Sequence, residues 1–155
     1  QATDNSQILH DRLAELGASL LIRTLPDYVA GRITPQSQDN NFATYARKIV
    51  KDDGRIDWSL PAIEIHRRIR ALTPWPGAFT FLSVKQRRLL KISEASISES
   101  EGNVGEILSV SSNSLVVACG NNSLQLTKLQ REGSRAMDVN DLLNGCPLAS
   151  GMMLG

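Results

Sequence analysis

From Ala78 to Leu129 the sequence falls into short runs rich in branched and aromatic residues: "AFTFLSV", "RRLLKISEASI", "GEILSV", "SLVVACG" and "SLQLTKL". Clusters such as "SESEGN", "SSNS" and "GNNS" separate them. Runs of this length between turn residues read as β-strands with tight connections, and five or six of them predict a small closed or partly open barrel. The expected fold class is therefore α+β, mainly β. The residues just upstream fix how the chain enters it. In "SLPAIEIHRRIRAL", Ala62, Ile65, Ile69 and Leu72 form one apolar helical stripe, with Ser59 as N-cap and Pro61 in the first turn. "TPWPG" then ends the helix, because Pro74 disfavours helical geometry at Thr73 and Pro76 with Gly77 redirects the chain into a strand. Trp75, between two prolines at that corner, is expected to be a packing wedge, the alternative being a stacking platform for an unpaired base, and Trp58 to be buried at the helix base. Near the end, Asp138 is expected to cap a short helix, "VNDLLNG", over one end of the barrel.

The first third reads differently. Ser6 is the expected N-cap of a helix over "QILHDRLAELG" that stops at Gly17, and a second helix over "ASLLIRTLPDYVAG" stops at Gly31, with Pro26 kinking or dividing it. Leu20, Leu21, Leu25 and Val29 give that pair an apolar face with no obvious partner in this chain, so packing on the barrel or self-association is expected. "RITPQSQDNN" is polar and aperiodic, and reads as a linker. Residues 1–31, 32–41 and 42–155 are thus expected to be a helical segment, a linker and the barrel domain. Around Phe42 to Ile49 there is alternation, and Asp53 with Gly54 makes a turn before Ile56 and Trp58.

Charge is distributed unevenly. The net charge is only +1, yet Arg47 to Lys91 holds eleven Lys/Arg against four Asp/Glu, flanked by acidic ends. That basic middle points to a polyanion, and the candidate contacts are Lys48, Lys51, Arg55, Arg67, Arg68, Lys85, Arg87, Arg88 and Lys91. Arg70, at the edge of the apolar stripe, is expected to form a structural salt bridge with Asp57. Cys119 and Cys146 are far apart and outside any CxxC pair, which argues against a thiolate zinc site and for hydrophobe-like burial. His10 and His66 each stand alone on a helix and are expected to be structural rather than catalytic. With no long apolar run and no signal-peptide pattern at the start, no membrane partner is expected and the default setting is cytoplasmic.

"ATYARKI", "DGRIDWSLPAIEIHRRIRALTPWPGAFTFL", "LVVACGNNSLQLTKLQREGSRAM" and "NDLLNG" together resemble the C-terminal part of the methionyl-tRNA formyltransferase family. "LHDRLAELGASLL" is similar to the helices that close the family's catalytic domain. The resemblance implies an oligonucleotide-binding-like (OB-like) open barrel that holds initiator methionyl-tRNA through its phosphates. It also implies a missing N-terminal catalytic domain that uses 10-formyltetrahydrofolate as formyl donor. The family's catalytic asparagine, histidine and aspartate belong to that domain, and its His-Pro-Ser-Leu-Leu-Pro stretch does not occur here, so this segment is expected to hold no catalytic residue and no cofactor. The alternatives are the similar barrel of formyltransferases acting on nucleotide-linked amino sugars, and a purely structural barrel.

Overall fold

The computed structural model describes residues 1, 3–82 and 88–155. Helix α1 (Ser6–Val29) is followed by exposed chain containing two 3-10 turns, Asn40–Phe42 and Lys51–Gly54, and then by helix α2 (Ala62–Leu72). Strands β1 (Ala78–Phe81), β2 (Leu89–Ser98), β3 (Ile107–Val110), β4 (Leu115–Ala118), β5 (Ser123–Arg131) and β6 (Met137–Asp138) come next, and helix α3 (Val139–Gly145) last.

The strands form one antiparallel sheet in the order β1-β2-β5-β4-β3, with β6 added to β5. β2 is long enough to pair with both β1 and β5, and its ladder to β5 is irregular between Ile92 and Ala95. Irregularities of this kind bend and twist a strand, which lets one sheet curl into an open barrel. The remaining gap is bridged by the end of the chain. Ile107 N donates to Met152 O (2.8 Å), Leu154 N to Gly105 O (2.9 Å) and Gly155 N to Phe81 O (3.1 Å), so residues 151–155 run from β3 to β1.

The core is what the alternation in the strands requires. Leu90, Ile92, Ile107, Leu115, Val117, Leu124, Leu126 and Leu129 are buried, α2 covers them with Ile65 and Ile69, and α3 with Val139 and Leu142. The expected stripe of α2, Ala62, Ile65, Ile69 and Leu72, is buried throughout. Trp58 is buried as expected, and its Nε1 donates to Thr80 Oγ1 at 3.0 Å in the core. Thr73 is extended and ends α2, as the proline after it demands.

Several local expectations are corrected. The two N-terminal helices are one: α1 runs through Gly17, which keeps helical geometry because glycine weakens a helix without forbidding it. Pro26 lies in the last turn of the same helix, and Gly31 at φ +72° follows its end, as expected. The N-cap is Asn5, whose Oδ1 accepts from Ile8 N at 2.9 Å, while Ser6 Oγ turns to the Thr73 carbonyl at 2.5 Å. Pro61, not Ser59, occupies the N-cap position of α2, since Ser59 Oγ donates to Asp57. Asp138 does precede α3 but makes no side-chain capping bond. Arg70 forms no ion pair with Asp57 and donates from Nη1 to the Asp4 carbonyl at 3.1 Å.

Trp75 is the largest departure. It is 57% exposed, so it is not a wedge. The corner is sealed instead by Pro76, Gly77 and Ala78, all buried, with Gly77 N bonded to Leu72 O at 2.9 Å and Gly77 at φ +82°. The backbone turn uses up the interior, leaving the indole outside.

Candidate nucleic-acid interface

Burial of Ile65 and Ile69 turns the opposite face of α2 to solvent, and that face carries Arg67 and Arg68. Upstream, residues 43–50 run exposed along the surface until the 3-10 turn brings Arg55 beside β1, where Ile56 N donates to Phe79 O at 2.8 Å. These elements meet around an open cleft of about 490 Å³ lined by Arg47, Asp53, Arg55, Arg68, Ala71 and Leu72, among others. Three arginines therefore line one hollow, together with Asp52 and Asp53.

One of the three is already engaged. Arg47 grips Asp53 through both terminal nitrogens, and Val50 N donates to the same carboxylate at 2.8 Å. Arg47 first, and then the Val50 amide, draw the Asp53 pKa down to about 2. The pair fixes the chain leading into the cleft. Among the described residues the ion pairs of side-chain cations fall on Arg12, Arg32, Arg47 and Lys128, and His10 adds a contact to Asp11; Arg55, Arg67 and Arg68 carry none. The Arg55 guanidinium lies instead over the Phe81 ring, 5.7 Å from its centre.

The other candidates do not line this cleft. Lys48 and Lys51 are exposed on the approach to it. Lys91 stands on β2 opposite Phe79. Arg88 is exposed at the start of β2, beside a second hollow that also takes Leu82, Arg131 and Cys146. Lys85 and Arg87 lie outside the described residues. The sequence reading missed Arg47 as a cleft residue, because its position depends on Asp53, and it passed over Phe79 and Phe81. Both were legible: in "AFTFL" Ala78, Thr80 and Leu82 are buried, so the alternate residues must face outward.

Among the described residues no cluster of three or more His, Cys, Asp and Glu could hold a metal ion. His66 is half-buried, bonded to the Ala95 backbone, and its pKa is lowered by burial and then by the Arg70 charge. Cys119 is buried and its thiol is pushed up to about 11 by burial, as befits a core side chain. No helix among the described residues is long and apolar enough to cross a membrane.

Residues 48–147 match the family model "Formyl transferase, C-terminal domain". The chain belongs to this family. It is 42% identical over 154 residues to the methionyl-tRNA formyltransferase of Citrifermentans bemidjiense, covering 99% of this chain and 48% of that protein. The enzyme of the same name from Trichlorobacter lovleyi is 43% identical over 151 residues, covering 97% and 47%. The chain thus spans about half the length of these relatives and corresponds to their C-terminal portion. Among solved structures, HypX from Aquifex aeolicus superposes with a TM-score of 0.66 at 16% identity over 94% of this chain and 26% of that one, which shows a shared fold. A second HypX structure, in complex with tetrahydrofolic acid, gives 0.59 at 18% identity over 81% and 22%.

Proposed function

We propose that this chain is the tRNA-holding part of a methionyl-tRNA formyltransferase, the cytoplasmic enzyme that formylates the methionine amine of initiator methionyl-tRNA from 10-formyltetrahydrofolate. Residues 42–155 act as an OB-like binding domain, residues 32–41 as a linker, and α1 as the helix that closes the catalytic domain supplied by the rest of the enzyme. In favour of setting α1 apart, no described residue before Gly54 is buried, so α1 adds no side chain to this core. The observation that carries the binding role is the meeting of Arg47, Arg55 and Arg68 at one open cleft, with Arg67 exposed next to Arg68 on α2. Arginine neutralises phosphate and releases counterions, which gives affinity without base information, so initiator identity is read elsewhere.

The test is a salt titration of tRNA binding. If about four phosphates are contacted, log affinity falls against log salt with a slope of roughly minus 3 to minus 4. Arg67→Ala with Arg68→Ala should weaken initiator and elongator tRNA alike and flatten that slope by about 1 to 2. Salt-insensitive binding, or a loss confined to initiator tRNA, would refute the reading. The chain alone should transfer no formyl group, and turnover that survives repurification would overturn that.

A further inference from the structure

The two aromatics that alternate outward on β1 do not stand alone. Arg55 bridges to Phe79, Phe79 pairs with Lys91, and Lys91 pairs with Gln130, so these four residues form one row across the sheet. Residues directly opposite on neighbouring strands place their side chains on the same face. Arg55 is exposed, and Phe79, Lys91 and Gln130 are half-buried, so the row forms an outer surface and not a layer of the core. Phe81 lies next along β1, its ring edge-on to Phe79 with centres 5.8 Å apart and the Arg55 guanidinium spread over it.

Trp75 lies two residues before Gly77, at the corner from which the chain enters β1. Lys91 packs beside Gly77: a Cβ there would be in ordinary contact, 3.6 Å from Lys91 Cδ and 3.9 Å from its Nζ. The Lys91 ammonium therefore sits against the backbone of the corner that holds the exposed indole. Two outward phenylalanines and two cations on one face, with an open indole at the corner beside Lys91, is the composition of a surface for unpaired nucleotides. Aromatic faces stack with any base, while flanking cations take the phosphates between successive bases. A duplex hides its base faces and can use only the cations.

We propose that Trp75, Phe79, Lys91 and Arg55 form a stacking strip for an unpaired stretch of RNA, with Trp75 as the platform for one base. The assignment rests on the RNA-binding reading above and adds to it: the arginine cleft takes phosphates of any RNA, and the strip takes only unpaired bases.

The two tryptophans allow the strip to be watched directly, because Trp58 is buried at 4% exposure and Trp75 is not. The 155-residue chain is titrated with a mixed-sequence single-stranded RNA of about twelve nucleotides and with the blunt duplex it forms with its complement, at matched salt. Single strand should quench the solvent-exposed part of the tryptophan emission, and duplex should not. Trp75→Ala should weaken single-strand binding by about tenfold and duplex binding by less than about twofold, whereas Trp75→Phe should lose the quench but keep most of the affinity. If Trp75→Ala leaves single-strand affinity unchanged while Arg67→Ala with Arg68→Ala weakens both RNAs, the phosphate reading stands and the strip is refuted. If neither RNA binds the parent chain, both fall.

Discussion

Gly120→Ala is the sharpest test of how the barrel holds α2. An alanine Cβ there would fall 1.8 Å from the Ser59 carbonyl oxygen and 2.7 Å from its carbon. The obstacle is backbone on both sides, so no rotamer change relieves it, and the two segments must part by about 1.5 Å to reach van der Waals contact. Two hydrogen bonds span the same joint, Gly120 N to Leu60 O and Ala62 N to Asn121 O, each 3.0 Å, and that separation breaks both. At about 1 kcal/mol net per bond, with a further loss from loosened packing beneath the buried Ala62, the cost comes to about 2 to 4 kcal/mol. For a chain of this size that lowers the melting temperature by roughly 5 to 15 °C. Thermal and urea unfolding followed by circular dichroism measure it. Gly102→Ala is the control: its Cβ would meet Leu108 Cδ2 at 2.3 Å, but that is the tip of a rotatable side chain, so the cost should stay below about 1 kcal/mol. A Gly120→Ala protein melting within a degree or two of the parent would mean that the contact between residues 59–62 and 119–122 does not anchor the helix.

Thr80→Val should cost about 1 to 3 kcal/mol in urea unfolding, because it strands the buried indole N–H of Trp58; an unchanged midpoint would mean the bond adds nothing. His66 has a pKa below its ordinary 6.5, so the unfolded chain takes up the proton first: stability is complete above about pH 6.5 and is lost as pH falls below it. His66→Gln should flatten that fall in chemical unfolding between pH 7 and 5, and an identical pH profile would contradict the assignment. The exposed leucines of α1 should make the isolated chain self-associate with concentration, and Leu20→Glu with Leu21→Glu should return it to a monomer in sedimentation; a parent chain that is monomeric throughout would show the face is not cohesive.

Most strands were readable from β-rich runs bounded by Gly, Ser or Asn; β1 and β5 alternate, while β4 is a short apolar run buried almost throughout. β6 carries only two residues, too few for any period. Gly17 misled because a glycine after an apolar stripe has the same appearance whether it stops a helix or sits inside one, and only its backbone angles separate the cases. Trp75 misled because hydrophobicity predicts burial, whereas here the prolines beside it fix a turn whose interior is filled by backbone. The basic residues were legible as a charge block, yet their meeting was not: Arg47, Arg55 and Arg68 are brought to one cleft by the Asp53 turn and by the docking of α2, which no local pattern encodes.

The segment from Gly151 to Gly155 has a role that reaches beyond the hydrogen bonds it makes. A sheet that stops short of closing offers two rows of unpaired amides and carbonyls, each a template on which a foreign strand can grow. Here β3 is occupied by Gly151 to Leu154, and β1 is shielded by Ile56 at one position and Gly155 at another. Any partly folded form in which residues 151–155 are undocked leaves the edge of β3 open and β1 held only at Ile56. Loss of this segment should therefore register less as a drop in melting temperature than as a new tendency to form intermolecular β-structure.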